Sequence, residues 1–162
     1  MIRTISVVAA VTVATLMAGC AATHPTPTSH GVSSEFKASV SKGVAQPVVV
    51  ANGHQINPEV SKSLLDSFAA QADKFGVKVI PNGVPVTITV QEYSARPTAA
   101  RLLAGALAGK HHIKADVALG ESKFVVEDTA RTVLVGINGV AANVGVQAAN
   151  GVAGIAGLSQ AN

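Results

Sequence analysis

Val84-Pro85-Val86-Thr87-Ile88-Thr89-Val90-Gln91 places Val84, Val86, Ile88 and Val90 in alternation with Pro85, Thr87, Thr89 and Gln91. A period of two sends successive side chains to opposite sides of an extended chain. The run therefore predicts a strand with one buried and one wet face. The pattern returns in His112-Ile113-Lys114-Ala115-Asp116-Val117-Ala118-Leu119, where Ile113, Ala115, Val117 and Leu119 form the apolar set. Gly120-Glu121-Ser122 then turns the chain into a third run, from Lys123 to Asp128 and expected to continue to Val135. Two short β-branched runs precede these. Pro47 to Ala51 is closed by Asn52-Gly53, and Val77 to Ile80 by Pro81-Asn82-Gly83. Strands wet on one face belong to mostly antiparallel sheets.

Between the two short runs lies a helical signal. Asn57 is placed to cap a helix, Pro58 suits its first position, and Gly76 stands beyond its last turn. At 3.6 residues per turn, Val60, Leu64, Leu65, Phe68, Ala72 and Phe75 share one face. Glu59, Lys62, Asp66, Ala70 and Asp73 share the other. Lys62 and Asp66 are one turn apart and suited to pair. The expected order is β-α-β-β-loop-β-β-α. That is an α+β fold with a four- to five-stranded, mostly antiparallel sheet packed by one amphipathic helix, plus a Gly/Ala-rich C-terminal helix.

The C-terminal helix is expected within Gly136 to Leu158, a stretch with no charged residue and six glycines. As a helix it puts Val140, Val144, Ala148, Val152 and Ile155 on one stripe and Asn143, Gln147 and Asn150 on another. Gly145, Ala149 and Ala156 fall between. Small residues at such spacings permit close helix packing, within one chain, between copies, or in a membrane. The glycines cost helix stability and the amide side chains disfavour solitary insertion. Folding onto the domain's own sheet is the leading expectation.

At the other end, Met1-Ile2-Arg3-Thr4 carries one positive charge, and Ile5 to Met17 carries none. This pattern reads as a secretory signal, too short to span a bilayer core of ~30 Å. Met17-Ala18-Gly19-Cys20 follows and contains the chain's single cysteine. It resembles the lipobox of bacterial lipoproteins, with Met17 where the family prefers Leu. The resemblance implies cleavage before Cys20, lipidation of Cys20, and membrane residence through the acyl chains, since two or more chains make anchoring stable. Ala21 is not the Asp that retains many such lipoproteins at the inner membrane, which implies the outer membrane, with the domain on the periplasmic side.

The expected organisation is a signal peptide over residues 1–19 and a lipidated cysteine with a flexible tether over 20–34. A single α+β domain follows over 35–162, with its Gly/Ala-rich segment at 136–158. The tether reading rests on Ala21 to Ser34, which has no charge, no large side chain and two prolines. His24 and His30 lie six apart in it, too loosely held to preorganise a metal. The length of 162 residues suits one domain.

In the body, a helix ending in Gly76-Val77-Lys78-Val79 precedes the Thr-alternating strand. Arg101-Leu102-Leu103-Ala104-Gly105-Ala106-Leu107-Ala108-Gly109 then precedes an Ile-x-Ala-x-Val strand. This layout is similar to a family of uncharacterised bacterial lipoproteins over roughly residues 45–160, and the resemblance implies no activity.

Chemistry-bearing motifs are few. The net charge of +3, with no basic stripe, excludes a nucleic-acid footprint. One cysteine excludes an internal disulfide framework and a cysteine zinc cage. Ala104-Gly105-Ala106-Leu107-Ala108-Gly109-Lys110-His111 nearly spells a phosphate-binding loop, but His111 replaces the Mg²⁺-holding hydroxyl and a strand follows instead of a helix. His112, Lys114 and Asp116 are expected to project together on the wet face, where the lysine disfavours a metal. Ser122 lacks the second glycine of a nucleophile elbow. Arg96, Arg101 and Arg131 are expected to pair with Glu92, Glu127 or Asp128 and pin the 95–110 loop to the sheet.

The expectation is therefore no catalysis, no cofactor and no metal. The leading function is a lipid-anchored envelope module that binds or scaffolds another envelope protein, as a monomer. The alternative is an assembly protein that oligomerises or enters the membrane through its Gly/Ala-rich end.

Overall fold

The computed structural model describes residues 32–96, 110–130 and 134–158. Its elements run α1 (Ser34–Lys42), β1 (Val48–Val50), α2 (Pro58–Lys74), β2 (Val86–Ser94), β3 (His112–Leu119), β4 (Ser122–Thr129) and α3 (Ile137–Ala156). The four strands form one sheet in the order β1-β2-β3-β4. β1 is parallel to β2, and the other pairings are antiparallel. The α+β class and the mostly antiparallel sheet agree with the alternation in the sequence.

Each element forms for a readable reason. Asn57 caps α2, its side-chain oxygen accepting from the Glu59 amide at 2.9 Å, and Pro58 fills the first turn where a missing N–H costs nothing. Val60, Leu64, Phe68 and Ala72 are buried along one face of α2, while Lys62 and Asp66 pair on the exposed face. The β3–β4 hairpin closes through Gly120 and Glu121, with Gly120 in the left-handed region at φ +56° that favours glycine.

Both α2 and α3 lie on one face of the sheet. Val86, Ile88 and Val90 of β2, Ile113, Ala115, Val117 and Leu119 of β3, and Phe124 and Val126 of β4 point into the core beneath them. The Gly/Ala-rich segment is thus an internal element, packed on α2, β3, β4 and α1. Gly145 is the point of closest approach to α2. A Cβ there would run into the Leu64 carbonyl oxygen, and one at Gly151 would enter the Phe124 ring. The small residues serve a contact inside one chain. Two buried amides also join the helices, Gln71 donating to Asn150 at 2.8 Å.

Three expectations are corrected. Val77 to Ile80 forms no strand of the sheet. Val44 meets Val79 and Val84 only as isolated bridges, because Gly43 to Ala45 runs between the two segments and takes their backbone bonds. β4 stops at Thr129 instead of Val135, and Leu134 already lies in the turn leading to α3. The domain opens with a helix the periodicity did not reveal. α1 is short, capped by Ser33, and buries Val40 with little apolar pattern along its length.

The signal peptide, Cys20, residues 21–31 of the tether with His24 and His30, Arg101, Arg131 and residues 104–109 lie outside the described residues, while the last tether residues, Ser33 and Ser34, cap and open α1. Among the described residues, no helix is long and apolar enough to cross a membrane.

Candidate functional site

The second face of the sheet is left open by the helices, and the strand register orders its side chains in rows. Val48, Thr87, Ala118 and Lys123 stand side by side across the four strands. Val50, Thr89, Asp116 and Val125 form the next row. Glu92, Lys114 and Glu127 follow, then Ser94, His112 and Thr129. The first two rows mix three valines and an alanine with two threonines, Asp116 and Lys123, and the last two are polar throughout.

A bulge in β2 builds the charged half. Val90 faces Ala115 and Glu92 faces Lys114, so Gln91 is an extra residue. An extra residue resets the alternation. Gln91 and Glu92 therefore both reach the open face, and Tyr93 returns to the core side opposite Ile113. Gln91 donates to Asp116 at 2.9 Å and accepts from Asn52 at 3.2 Å, and its backbone oxygen meets His54 Nε2 at 3.1 Å. Glu92 lies 3.3 Å from His112 Nε2 and 3.6 Å from Lys114 Nζ. His112 Nδ1 lies 2.9 Å from the Thr129 hydroxyl and 4.0 Å from a Glu127 oxygen. The imidazole is thus held between carboxylates of β2 and β4 across three strands.

His112, Lys114 and Asp116 share the open face as their spacing predicts. His112 and Lys114 have Glu92 as a neighbour, and Asp116 accepts from Gln91. Among the described residues no group of three or more His, Cys, Asp or Glu is placed to hold a metal ion. His111 points the other way and is buried, its Nδ1 accepting from the Arg96 amide at 3.1 Å. The expected arginine–carboxylate pinning is not seen at Arg96, whose guanidinium makes no carboxylate pair among the described residues. Glu92 and Glu127 are engaged by β3 instead, and Asp128 accepts from Asn143 of α3 at 3.0 Å. Ser122 is buried at the start of β4.

A hydroxyl on one ring nitrogen and a carboxylate on the other repeats the order of a hydrolytic relay. Here Thr129 sits on an open sheet surface and Lys114 shares the carboxylate, an arrangement suited to pinning strands. On the core side, a gap of about 10 Å³ beneath Tyr93, lined by Val49, Ile56, Val60 and Leu64, is at most the size of a water molecule.

The bulge is the feature that sequence reading missed. Its signal is present: Val90 and Tyr93 lie three apart, so the apolar alternation of β2 slips by one residue at Gln91-Glu92.

No family model and no curated protein matches the sequence. Solved structures match the fold. PelC from Paraburkholderia phytofirmans, a dodecamer, superposes with a TM-score of 0.50 at 13% identity over 79% of this chain and 95% of PelC. A single-substitution variant of the same dodecamer gives the same values. At this identity the likeness is one of fold.

Proposed function

We propose that this chain is a lipid-anchored module of the cell envelope that works by assembling with copies of itself, without a catalytic step. The observation that carries the assembly reading is the open sheet face. Among the described residues the exposed large hydrophobics are Val48, Val50, Val125 and Leu134, and the three valines share that face, Val48 and Val50 at its β1 edge and Val125 at its β4 edge. Solved proteins of the same fold that are dodecamers support self-association over the monomer expected from the sequence. Gly145 and Gly151 of the Gly/Ala-rich segment are taken up inside the chain, against α2 and Phe124, which favours the open sheet face over that segment as the means. The anchor reading rests on Met17-Ala18-Gly19-Cys20 and its lipobox resemblance, with Ala21 favouring the outer membrane and a periplasmic domain.

Two measurements test the proposal. Metabolic labelling with a fatty acid should mark the wild type and not Cys20→Ala, and equal labelling of both overturns the anchor. The mass of the detergent-solubilised wild-type protein should exceed one chain. A monomer overturns self-assembly and returns the chain to a scaffold for a different envelope protein.

A further inference from the structure

We propose that Asn52, in the turn after β1, is a site of spontaneous covalent modification, where the side-chain amide is lost as ammonia and an aspartate or isoaspartate is left. The chain contains four Asn-Gly steps, Asn52-Gly53, Asn82-Gly83, Asn138-Gly139 and Asn150-Gly151. In such a step the glycine's backbone nitrogen attacks the carbonyl carbon of the asparagine side chain, and glycine has no Cβ to obstruct the approach. A nitrogen–carbon bond forms, and the carbon–nitrogen bond of the carboxamide breaks. The departing nitrogen takes up the glycine's amide proton and leaves as ammonia, so that a five-membered succinimide remains. Water then opens the ring at either carbonyl. One opening gives aspartate, and the other gives isoaspartate, with the backbone routed through the side-chain carbon. Water is the only co-reactant.

The fold separates the four steps by what holds the attacking amide. Gly83 donates its amide to the Ile80 carbonyl at 3.1 Å, and it is packed so closely on the Val44 backbone that a Cβ would overlap it. Gly139 donates to the Gly136 carbonyl at 3.0 Å. Asn150 and Gly151 are buried inside α3, where the Asn150 side chain accepts from Gln71 and Gly151 lies against the Phe124 ring. Asn52-Gly53 differs on each count. Both residues are exposed, a Cβ on Gly53 would meet nothing within 4 Å, and among the described residues the Gly53 amide donates to no protein acceptor. Two bonds hold the step. The His54 amide donates to the Ala51 carbonyl at 2.9 Å, and the Asn52 carboxamide donates to Gln91 at 3.2 Å. Ring closure needs both to open, and exposed turns lie at the low end of local opening free energies.

The modification breaks a directional chain of hydrogen bonds. Asn52 donates to the Gln91 side-chain oxygen, and the Gln91 side-chain nitrogen donates to Asp116 at 2.9 Å. A carboxylate at position 52 only accepts. It faces the Gln91 oxygen without a donor, and turning the Gln91 amide over presents that oxygen to Asp116 instead. The turn is thereby unlinked from β3.

The test is incubation of the folded, detergent-purified wild-type protein in mildly alkaline buffer, then peptide mapping by mass spectrometry. The same protein unfolded in urea is the reference, where all four steps should convert at comparable rates. In the folded protein Asn52 should convert first, and about tenfold or more faster than Asn150, because local opening costs far less in an exposed turn than in a core helix. Methyl transfer by an isoaspartyl methyltransferase should label the peptide that contains position 52. Gln91→Ala frees the Asn52 carboxamide and should speed conversion there while leaving the other three steps unchanged, with folding checked by circular dichroism. Conversion led by Asn82 or Asn138, or an Asn52 as slow as Asn150 in the folded protein, overturns the assignment.

Discussion

At the scale of single residues, Gly145 is the most constrained position in the helix layer. Its missing side chain lets α3 approach the Leu64 carbonyl, and a Cβ there has only backbone to push against. Gly145→Ala should therefore destabilise by about 1–3 kcal/mol through overpacking, despite the gain in helix propensity. Gly154, exposed on the same helix with nothing within 4 Å of where a Cβ would lie, is the control. Gly154→Ala should stabilise by up to about 1 kcal/mol. Urea melts of both variants check the pair, and equal effects would mean that the close approach is absent. Tyr93, the chain's single tyrosine, offers a second residue-scale test. Burial pushes its phenol above the usual value of 10.0, opposed by a bond to the Asn57 backbone. An ultraviolet titration should place its midpoint above 10.0 in the folded protein. The folded state then holds its proton more tightly than the unfolded state. The stability this provides is complete below the unfolded pKa and is lost as pH rises through the folded one.

At the scale of elements, the two edges of the sheet are treated differently. β4 is guarded by α3. The Gln147 carboxamide donates to the Glu127 backbone oxygen at 3.0 Å and accepts from the Glu127 amide at 3.3 Å, taking the place of a further strand. Gln147→Ala should cost about 1 kcal/mol and raise aggregation on heating, because unpaired edge groups template strand addition. Light scattering at equal protein concentration checks this. β1 is limited instead by its length, three residues with Pro47 just before it. Between the helices, the buried Gln71–Asn150 bond fixes how α2 and α3 register. Gln71→Leu leaves the Asn150 oxygen buried without its donor and should cost about 1–3 kcal/mol. Adding Asn150→Leu should recover part of that loss in denaturant melts, since removing both partners is cheaper than removing one.

At the scale of the molecule, one face of the sheet is the core and the other is a surface. The layer over the core is shared by α2 and α3, so neither helix is an appendage. Phe68 of α2 is 0% exposed, and Phe124 packs against Gly151 of α3. A chain ending before Gly136 would uncover Leu64, Phe68 and Phe124 together. It should lack a cooperative thermal transition by circular dichroism. A truncated chain that still melts cooperatively would show α3 to be dispensable. For the same reason truncation is a poor way to ask whether the C-terminal segment drives assembly. Removing it takes away the packing partner of α2, β3 and β4.

Sequence alone was enough for the α+β class, the amphipathic helix from Pro58 with its Asn57 cap, and three of the four strands as two-faced. These features rest on periodicity and capping, which are local and act wherever the segment sits. His112, Lys114 and Asp116 were legible on one face as well, because alternation requires it. The remainder needed the folded chain. Val77 to Ile80 has strand composition but its partners are single bridges, since another segment takes its backbone bonds. The small face of α3 permits close packing on a copy, in a membrane or within the chain, and its meeting with α2, Leu64 against Gly145, is seen only in the folded chain. Glu92 joined His112 and Lys114 through a bulge and a cross-strand register, and the rows of the open face exist only once four strands are aligned. Local pattern specifies which way a side chain faces along its own element. Which residues meet is set by pairing between segments distant in sequence, because loop closure and core packing choose among partners that local pattern leaves equivalent.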